Sequence, residues 1–326
     1  MAEIRYNPLT KDWVMVASNR QNRPQMPKDW CPFCPGSGKV PDNYDVYEYD
    51  NDFPALSSTP PVPDDVETNI YKTMPSFGKC EVVLYSPEHT TTVPQLSVDH
   101  IKKLVDLWTE RFVEIQKDEH VKYIFIFENR GAAVGTTMPH PHGQIYGYPF
   151  IPKKPALELE AFKEHKEKTG NCLFCDMLKD EVEAKSRIIF ENEHFIVFLP
   201  FFCEYPYGIY IAAKSHKQNL TEFSEEEKYS LAETLKYATG TLDSIFDYEF
   251  PYMMCMYQNP VNSGDLSDVS HFHIAFYPPM RSEDKIKFNA SSETGAWAHC
   301  NPTAPEEKAE EIRQAYNRFL NKIKGE

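Results

Sequence analysis

No run of apolar residues in this chain approaches the length needed to cross a bilayer. The first residues, Met1-Ala2-Glu3-Ile4-Arg5-Tyr6, hold no apolar signal region. Positive charge is also in deficit: 34 Lys and Arg stand against 49 Asp and Glu, a formal net charge of −15. That balance excludes a general nucleic-acid binder and a membrane-surface protein, which hold their partners through surplus positive charge. Any nucleotide must be held by a local site. The expectation is a cytoplasmic protein with neither a nucleic-acid nor a membrane partner. A length of 326 residues with 41% apolar content gives one large or two medium domains and a sizeable core.

What is present is an unusual use of Cys and His. Of eight cysteines, four form two C-x-x-C pairs, Cys31/Cys34 and Cys172/Cys175. In a reducing compartment such pairs bind metal or do redox work more often than they form structural bridges. Pro35-Gly36 suits a knuckle around an ion and argues against the helix that a thioredoxin-type pair opens. The segment His140-Pro141-His142-Gly143-Gln144 places two imidazoles and an amide at alternate positions, hence on one face of an extended strand. Pro141 keeps the backbone extended. Gly143 is read as leaving room for a phosphate against the main chain.

Landmarks then recur in the same order. Each half has a C-x-x-C, strands, a strand ending in His, a helix, a strand, a loop and H-x-H. His89 precedes the helix start at Ser97 by the same interval as His216 precedes Ser224, where Glu227 completes a capping box. This implies a duplicated α+β unit, with mainly antiparallel sheets and flanking helices, dividing the chain into 1–155 and 156–326. The repeat supplies two Cys₂His₂ sets suited to closed, structural zinc: Cys31, Cys34, His89 and His140, then Cys172, Cys175, His216 and His271. If His140 is a ligand, the neighbouring His142 is held in place as a neutral nucleophile toward phosphorus, and Gln144 donates to phosphoryl oxygens without moving a proton. Ala275 stands at the position of Gln144 in the second half, so only the first half is expected to be catalytic. Lys122 to Phe127 reads as the strand leading into this motif, and residues 303–306 as the cap of a last helix.

These motifs resemble those of class I galactose-1-phosphate uridylyltransferases, a branch of the histidine-triad superfamily. The marks are Tyr6-Asn7-Pro8-Leu9-Thr10, Arg20-x-x-Arg23-Pro24, Asn51-Asp52-Phe53, Ser86-Pro87-Glu88-His89, Phe127-Glu128-Asn129, the H-P-H-G-Q motif and Phe276-Tyr277-Pro278-Pro279. The resemblance implies two tandem histidine-triad-like units. It also implies a ping-pong reaction in which His142 takes UMP from UDP-glucose and passes it to galactose 1-phosphate. Under it, Asn51 and Asp52 hold uridine, and Arg20 and Arg23 contact phosphate in a homodimer. Asn129, Thr137 and Gln144 line the phosphoryl site, and Lys287 and Glu293 hold the hexose. Family members carry a second metal site, often iron, made of one Glu and three His. Here Gln258 stands where one such His is expected, and a C-x-x-C is present instead. The competing readings are a nucleotidyl-sugar phosphorylase or histidine-triad hydrolase, and a zinc-stapled binding module that does not need His142.

Overall fold

A computed structural model of the chain describes residues 2–22, 30–264, 266 and 269–325. Its first half contains β1 (Ala2–Asn7), β2 (Asp12–Ala17), β3 (Tyr47–Asp50), β4 (Thr73–Pro75), β5 (Lys79–Leu84), α1 (Val98–Ile115), β6 (Tyr123–Arg130) and β7 (His142–Tyr148). The second half contains α2 (Lys153–Thr169), α3 (Leu173–Ala184), β8 (Ile188–Glu191), β9 (Phe195–Phe198), β10 (Tyr210–Ala213), α4 (Glu225–Phe246), β11 (Tyr252–Tyr257) and β12 (His273–Tyr277). A small hairpin of β13 (Met280–Ser282) and β14 (Lys285–Ile286) follows, then α5 (Ser291–Ala296) and α6 (Pro305–Lys324).

Nine strands make one sheet in the order β3-β5-β7-β6-β11-β12-β10-β9-β8, every pair antiparallel. The order β3-β5-β7-β6 in the first half matches β9-β10-β12-β11 in the second. The two sets meet at the β6–β11 seam, where Phe127 pairs with Cys255. The expected α+β class with antiparallel sheets is therefore what the chain adopts.

Period-two alternation assigns the faces. Along β7, His142, Gln144 and Tyr146 point to one face, which we call the front. Ile145 points to the back, into a core that also holds Trp108 and Phe112 of α1 and Leu235 and Leu242 of α4. The helix expected at Ser97 forms because the Ser97 side chain accepts a hydrogen bond from the His100 amide, and Ile101, Leu104, Val105, Trp108, Phe112 and Ile115 bury one stripe. The capping box at Ser224 and Glu227 is also present. The last helix starts differently from expectation. Thr303 does not cap it; Ala304 is the N-cap and Pro305, whose missing N–H costs nothing there, opens the first turn. Helices α2 and α3 had no counterpart in the sequence reading, and β6 runs three residues beyond Phe127.

Strand β5, which positions β7, carries a buried charge on its back. Glu81 has no exposed side-chain surface and receives Arg111 of α1 at 2.6 and 3.0 Å. Arg111→Ala would strand that carboxylate in the core, and the expected loss is about 3–5 kcal/mol. Denaturant unfolding measures it. A loss well under 1 kcal/mol would show that water reaches Glu81.

Candidate active site

The first C-x-x-C folds as expected, as a turn with no helix, and brings four ligand atoms together. Those of Cys31, Cys34, His89 and His140 all lie within 4.8 Å of one another. The sulfur–nitrogen distances are 3.4 Å for Cys34–His89, 3.7 Å for Cys34–His140 and 3.8 Å for Cys31–His140. An ion about 2.3 Å from sulfur and about 2.0–2.1 Å from nitrogen, arranged tetrahedrally, sets such edges at about 3.6 Å, so the donor set fits zinc. His140 is fully buried, and that burial holds its pKa down to about 4, so the ring is neutral. Its Nε2–H donates to the Ser86 carbonyl at 2.8 Å, which turns the Nδ1 lone pair toward the thiols. The Tyr44 hydroxyl, 3.3 Å from the same Nε2, donates to the Phe33 carbonyl at 2.7 Å and ties the knuckle down.

The nucleophile candidate follows directly. His140 sits just ahead of β7, so the strand row begins at His142 and does not include all three polar groups of the motif. The His142 Nδ1 lies 2.8 Å from the His140 carbonyl oxygen. A carbonyl only accepts, so Nδ1 bears the proton and Nε2 of the neutral ring bears the lone pair. The Phe33 ring stands 5.5 Å from that imidazole. Gln144 follows two residues along the same face, opposite Val82 on one side and Phe127 on the other. His142, Asn129, Thr137 and the loop between β6 and β7 line a cleft of about 230 Å³. The Thr136 hydroxyl donates to the Asn129 carbonyl at 2.7 Å and fastens that loop to β6. Glu128 and Arg130 reach the same cleft from the back of β6. Burial pushes the Glu128 carboxyl up to about 7, while the Tyr252 hydroxyl donates to it at 3.2 Å.

The other expected site residues lie farther off. Asn51 and Asp52 leave the end of β3 two strands from β7, with the Asn51 amide bonded to the Cys80 carbonyl and Cys80 level with Tyr146. Asn51 accepts from the Phe53 amide at 2.9 Å, and Asp52 pairs with Lys39 at 2.6 Å. Arg20 donates to the Tyr146 hydroxyl at 3.1 Å, hence about 13 Å along β7 from His142. Arg23 falls outside the described residues. Lys287 and Glu293 meet each other at 3.7 Å beside the Tyr205 ring, and neither lines the His142 cleft.

Two family models cover almost the whole chain: galactose-1-phosphate uridyl transferase N-terminal domain at residues 1–152, and C-terminal domain at 158–313. The chain belongs to the galactose-1-phosphate uridylyltransferase family. A galactose-1-phosphate uridylyltransferase of Thermotoga maritima is 44% identical over 315 residues, covering 96% of this chain and 98% of its own length. One from Haemophilus influenzae is 33% identical, with 95% and 93% covered. A solved uridylyltransferase structure superposes with a TM-score of 0.90 at 31% identity over 98% of this chain and 99% of its own.

Within this uridylyltransferase fold the second half repeats the geometry and departs from it at defined points. Cys172, Cys175, His216 and His271 form a second cluster with edges of 3.5, 3.6 and 3.8 Å. His271 Nε2 donates to the Ala213 carbonyl at 3.0 Å, as His140 does to Ser86. This donor set fits zinc as the first does. Among the described residues no set of one Glu and three His comes together, and Gln258 spends its amide oxygen on the Leu220 amide at 3.0 Å. His273 repeats His142, with Nδ1 donating to the His271 carbonyl at 3.1 Å. Register identifies its neighbours. Gln144 pairs with Val82 and Phe127, whereas Ala275 pairs with Tyr210 and Cys255. Tyr257, opposite His273, then occupies the position of Asn129. It stacks on His273 at 4.7 Å and 6°, with Phe174 on the ring at 4.6 Å.

Among residues the sequence reading passed over, Tyr85 matters most. Gly143 leaves no room for a phosphate as read above. It lies on the back of β7, and a Cβ there would fall 2.3 Å from the Tyr85 hydroxyl and 3.1 Å from the Phe127 carbonyl. Gly143→Ala should therefore cost about 1–3 kcal/mol, as overpacking does, and Tyr85→Phe in that background should return part of it. Melting curves of the two variants and the parent decide this. A Gly143→Ala chain as stable as the parent rules the steric account out.

Proposed function

We propose that this chain transfers UMP from UDP-glucose to galactose 1-phosphate through a uridylyl group held on Nε2 of His142. The reading rests above all on the 2.8 Å hydrogen bond from His142 Nδ1 to the His140 carbonyl, which puts the lone pair on Nε2. In the first step Nε2 forms a bond to the α-phosphorus, and the bond from that phosphorus to the bridging oxygen breaks. Glucose 1-phosphate departs as an anion that needs no proton. The ring becomes cationic, and the carbonyl that already accepts Nδ1–H stabilises that charge. Gln144, Asn129 and Thr137 hold the phosphoryl oxygens, and none of them transfers a proton. Galactose 1-phosphate then attacks the same phosphorus, restoring neutral His142 and giving UDP-galactose.

Zinc held by Cys31, Cys34, His89 and His140 serves as a structural staple. A second zinc on Cys172, Cys175, His216 and His271 serves the second unit. That unit, residues 156–326, is a non-catalytic repeat of 1–155: Tyr257 and Ala275 replace the phosphoryl contacts. Asn51 and Asp52 take the uridine end, with Arg20 and Arg23 contacting phosphate. Lys287 and Glu293 lie off the cleft of their own chain, which favours a homodimer that lends them to the partner's hexose. Among the described residues no helix is long and apolar enough to cross a membrane, and with the acidic balance this favours a cytoplasmic enzyme of galactose metabolism.

Intact mass after mixing with UDP-glucose alone should rise by one UMP residue, fall back on addition of galactose 1-phosphate, and not change in His142→Gly. Release of UMP with no adduct would indicate a hydrolase. Discharge by inorganic phosphate in place of galactose 1-phosphate would indicate a phosphorylase. Metal analysis of the purified chain should return two zinc ions, and Cys172→Ser should lower that to one. A parent carrying a single zinc would remove the second staple.

A further inference from the structure

Beside His273 the front of the second half opens into a cavity of about 240 Å³ under α2 and α3. Strand register places this cavity where the His142 face lies in the first half. His273 stands for His142, Tyr210 for Val82, and Phe174, inside the second C-x-x-C, for Phe33 inside the first. We propose that this cavity is a second, non-catalytic site that takes an unphosphorylated nucleoside, base inward. The proposal rests on reading the His142 face as the nucleotide site.

Three features of the cavity select that class. Its walls are aromatic: Phe174, Phe162 and Tyr210 are buried there, and Phe202 is exposed at 54% beside Tyr210, 6.2 Å away ring to ring. Planar rings gain on such faces by stacking, whatever their substituents. The groups that would hold a phosphate are gone, since Tyr257 fills the position of Asn129 and Ala275 that of Gln144. The charged groups point the same way. Glu158 and Glu204 line the cavity against a single cation, Lys154. That cation is already committed: its ammonium donates to the Tyr277 hydroxyl at 2.7 Å and lies 4.7 Å above the Tyr277 ring. A phosphate would meet carboxylates, whereas the N–H groups of a base would find acceptors. Burial pushes Glu158 up to about 7, so this carboxyl can also donate to a base carbonyl near neutral pH.

The test is equilibrium dialysis of labelled uridine, adenosine and UMP against enzyme pre-loaded with UDP-glucose, so that a covalent uridylyl group fills the first site. One uridine or adenosine per chain should be retained, with UMP weaker by at least about tenfold. Met177→Trp and, separately, Ala161→Trp insert an indole into the cavity from α3 and from the exposed side of α2. Each should weaken nucleoside binding by about tenfold or more while His142 still uridylylates. No retained nucleoside on loaded enzyme overturns the proposal, as does retention that both indole variants leave intact, or UMP bound as well as uridine. A chain that never uridylylates fails the reading in the previous section. The second site then stands or falls on whether uridine binding to untreated enzyme responds to the two indole variants.

Discussion

The structure turns on one residue held from three directions. The ring of His140 gives Nε2–H to the Ser86 carbonyl and directs Nδ1 at the two thiols of the knuckle, while its own carbonyl takes the proton of His142. Each bond limits a different freedom: ring rotation, ring displacement, and the tautomer of the next imidazole. None of the three would suffice alone. A hydrogen bond between neutral groups contributes only about 1 kcal/mol net, too little to hold a nucleophile to one rotamer. A tetrahedral ion held by the two thiols and two imidazoles would add a constraint of another order. The orientation of the His142 ring therefore depends on the cluster that holds His140.

The second half keeps that scaffold and changes the residues around it. His271 and His273 keep the same pair of carbonyl contacts, and Cys172, Cys175 and His216 keep the ligand geometry. What changed are the two positions that would face a phosphoryl group. Tyr257 lies flat on His273, and burial pulls that imidazole down to about 3. Tyr257 and Phe174 both stack on that ring, and neither Tyr257 nor Ala275 offers an amide where Asn129 and Gln144 stand in the first half.

The legible parts of the chain were those set by local rules. Ser97 and Ser224 announced their helices because capping and a buried stripe act within a few residues, and the Cys₂His₂ sets were legible because two C-x-x-C pairs and two H-x-H pairs recur in one order. Contacts made across the sheet were not legible. That Gly143 is small for the sake of Tyr85 depends on β5 lying beside β7. That Lys287 and Glu293 sit away from His142 depends on where the last third of the chain docks. Helix α2 carries only two buried apolar side chains, Leu159 and Phe162, too narrow a stripe to stand out beside its charges. The front of the second half, and with it the cavity beside His273, was for that reason invisible before the fold was known.

The two halves are also not independent bodies. Behind the sheet, Val83 and Ile145 of the first half belong to the same core as Met254, Ile274 and Phe276 of the second. In front, β6 gives its outer edge to β11. Cutting the chain at the seam would leave β6 with an unpaired edge and expose one side of that core, the combination that drives strands to aggregate. The second half is therefore not dispensable. It closes the sheet on the strand that carries Asn129 and completes the hydrophobic floor under β7. The Cys172 knuckle packs instead on the front of the sheet, against the cluster of Phe174, Tyr210 and Tyr257.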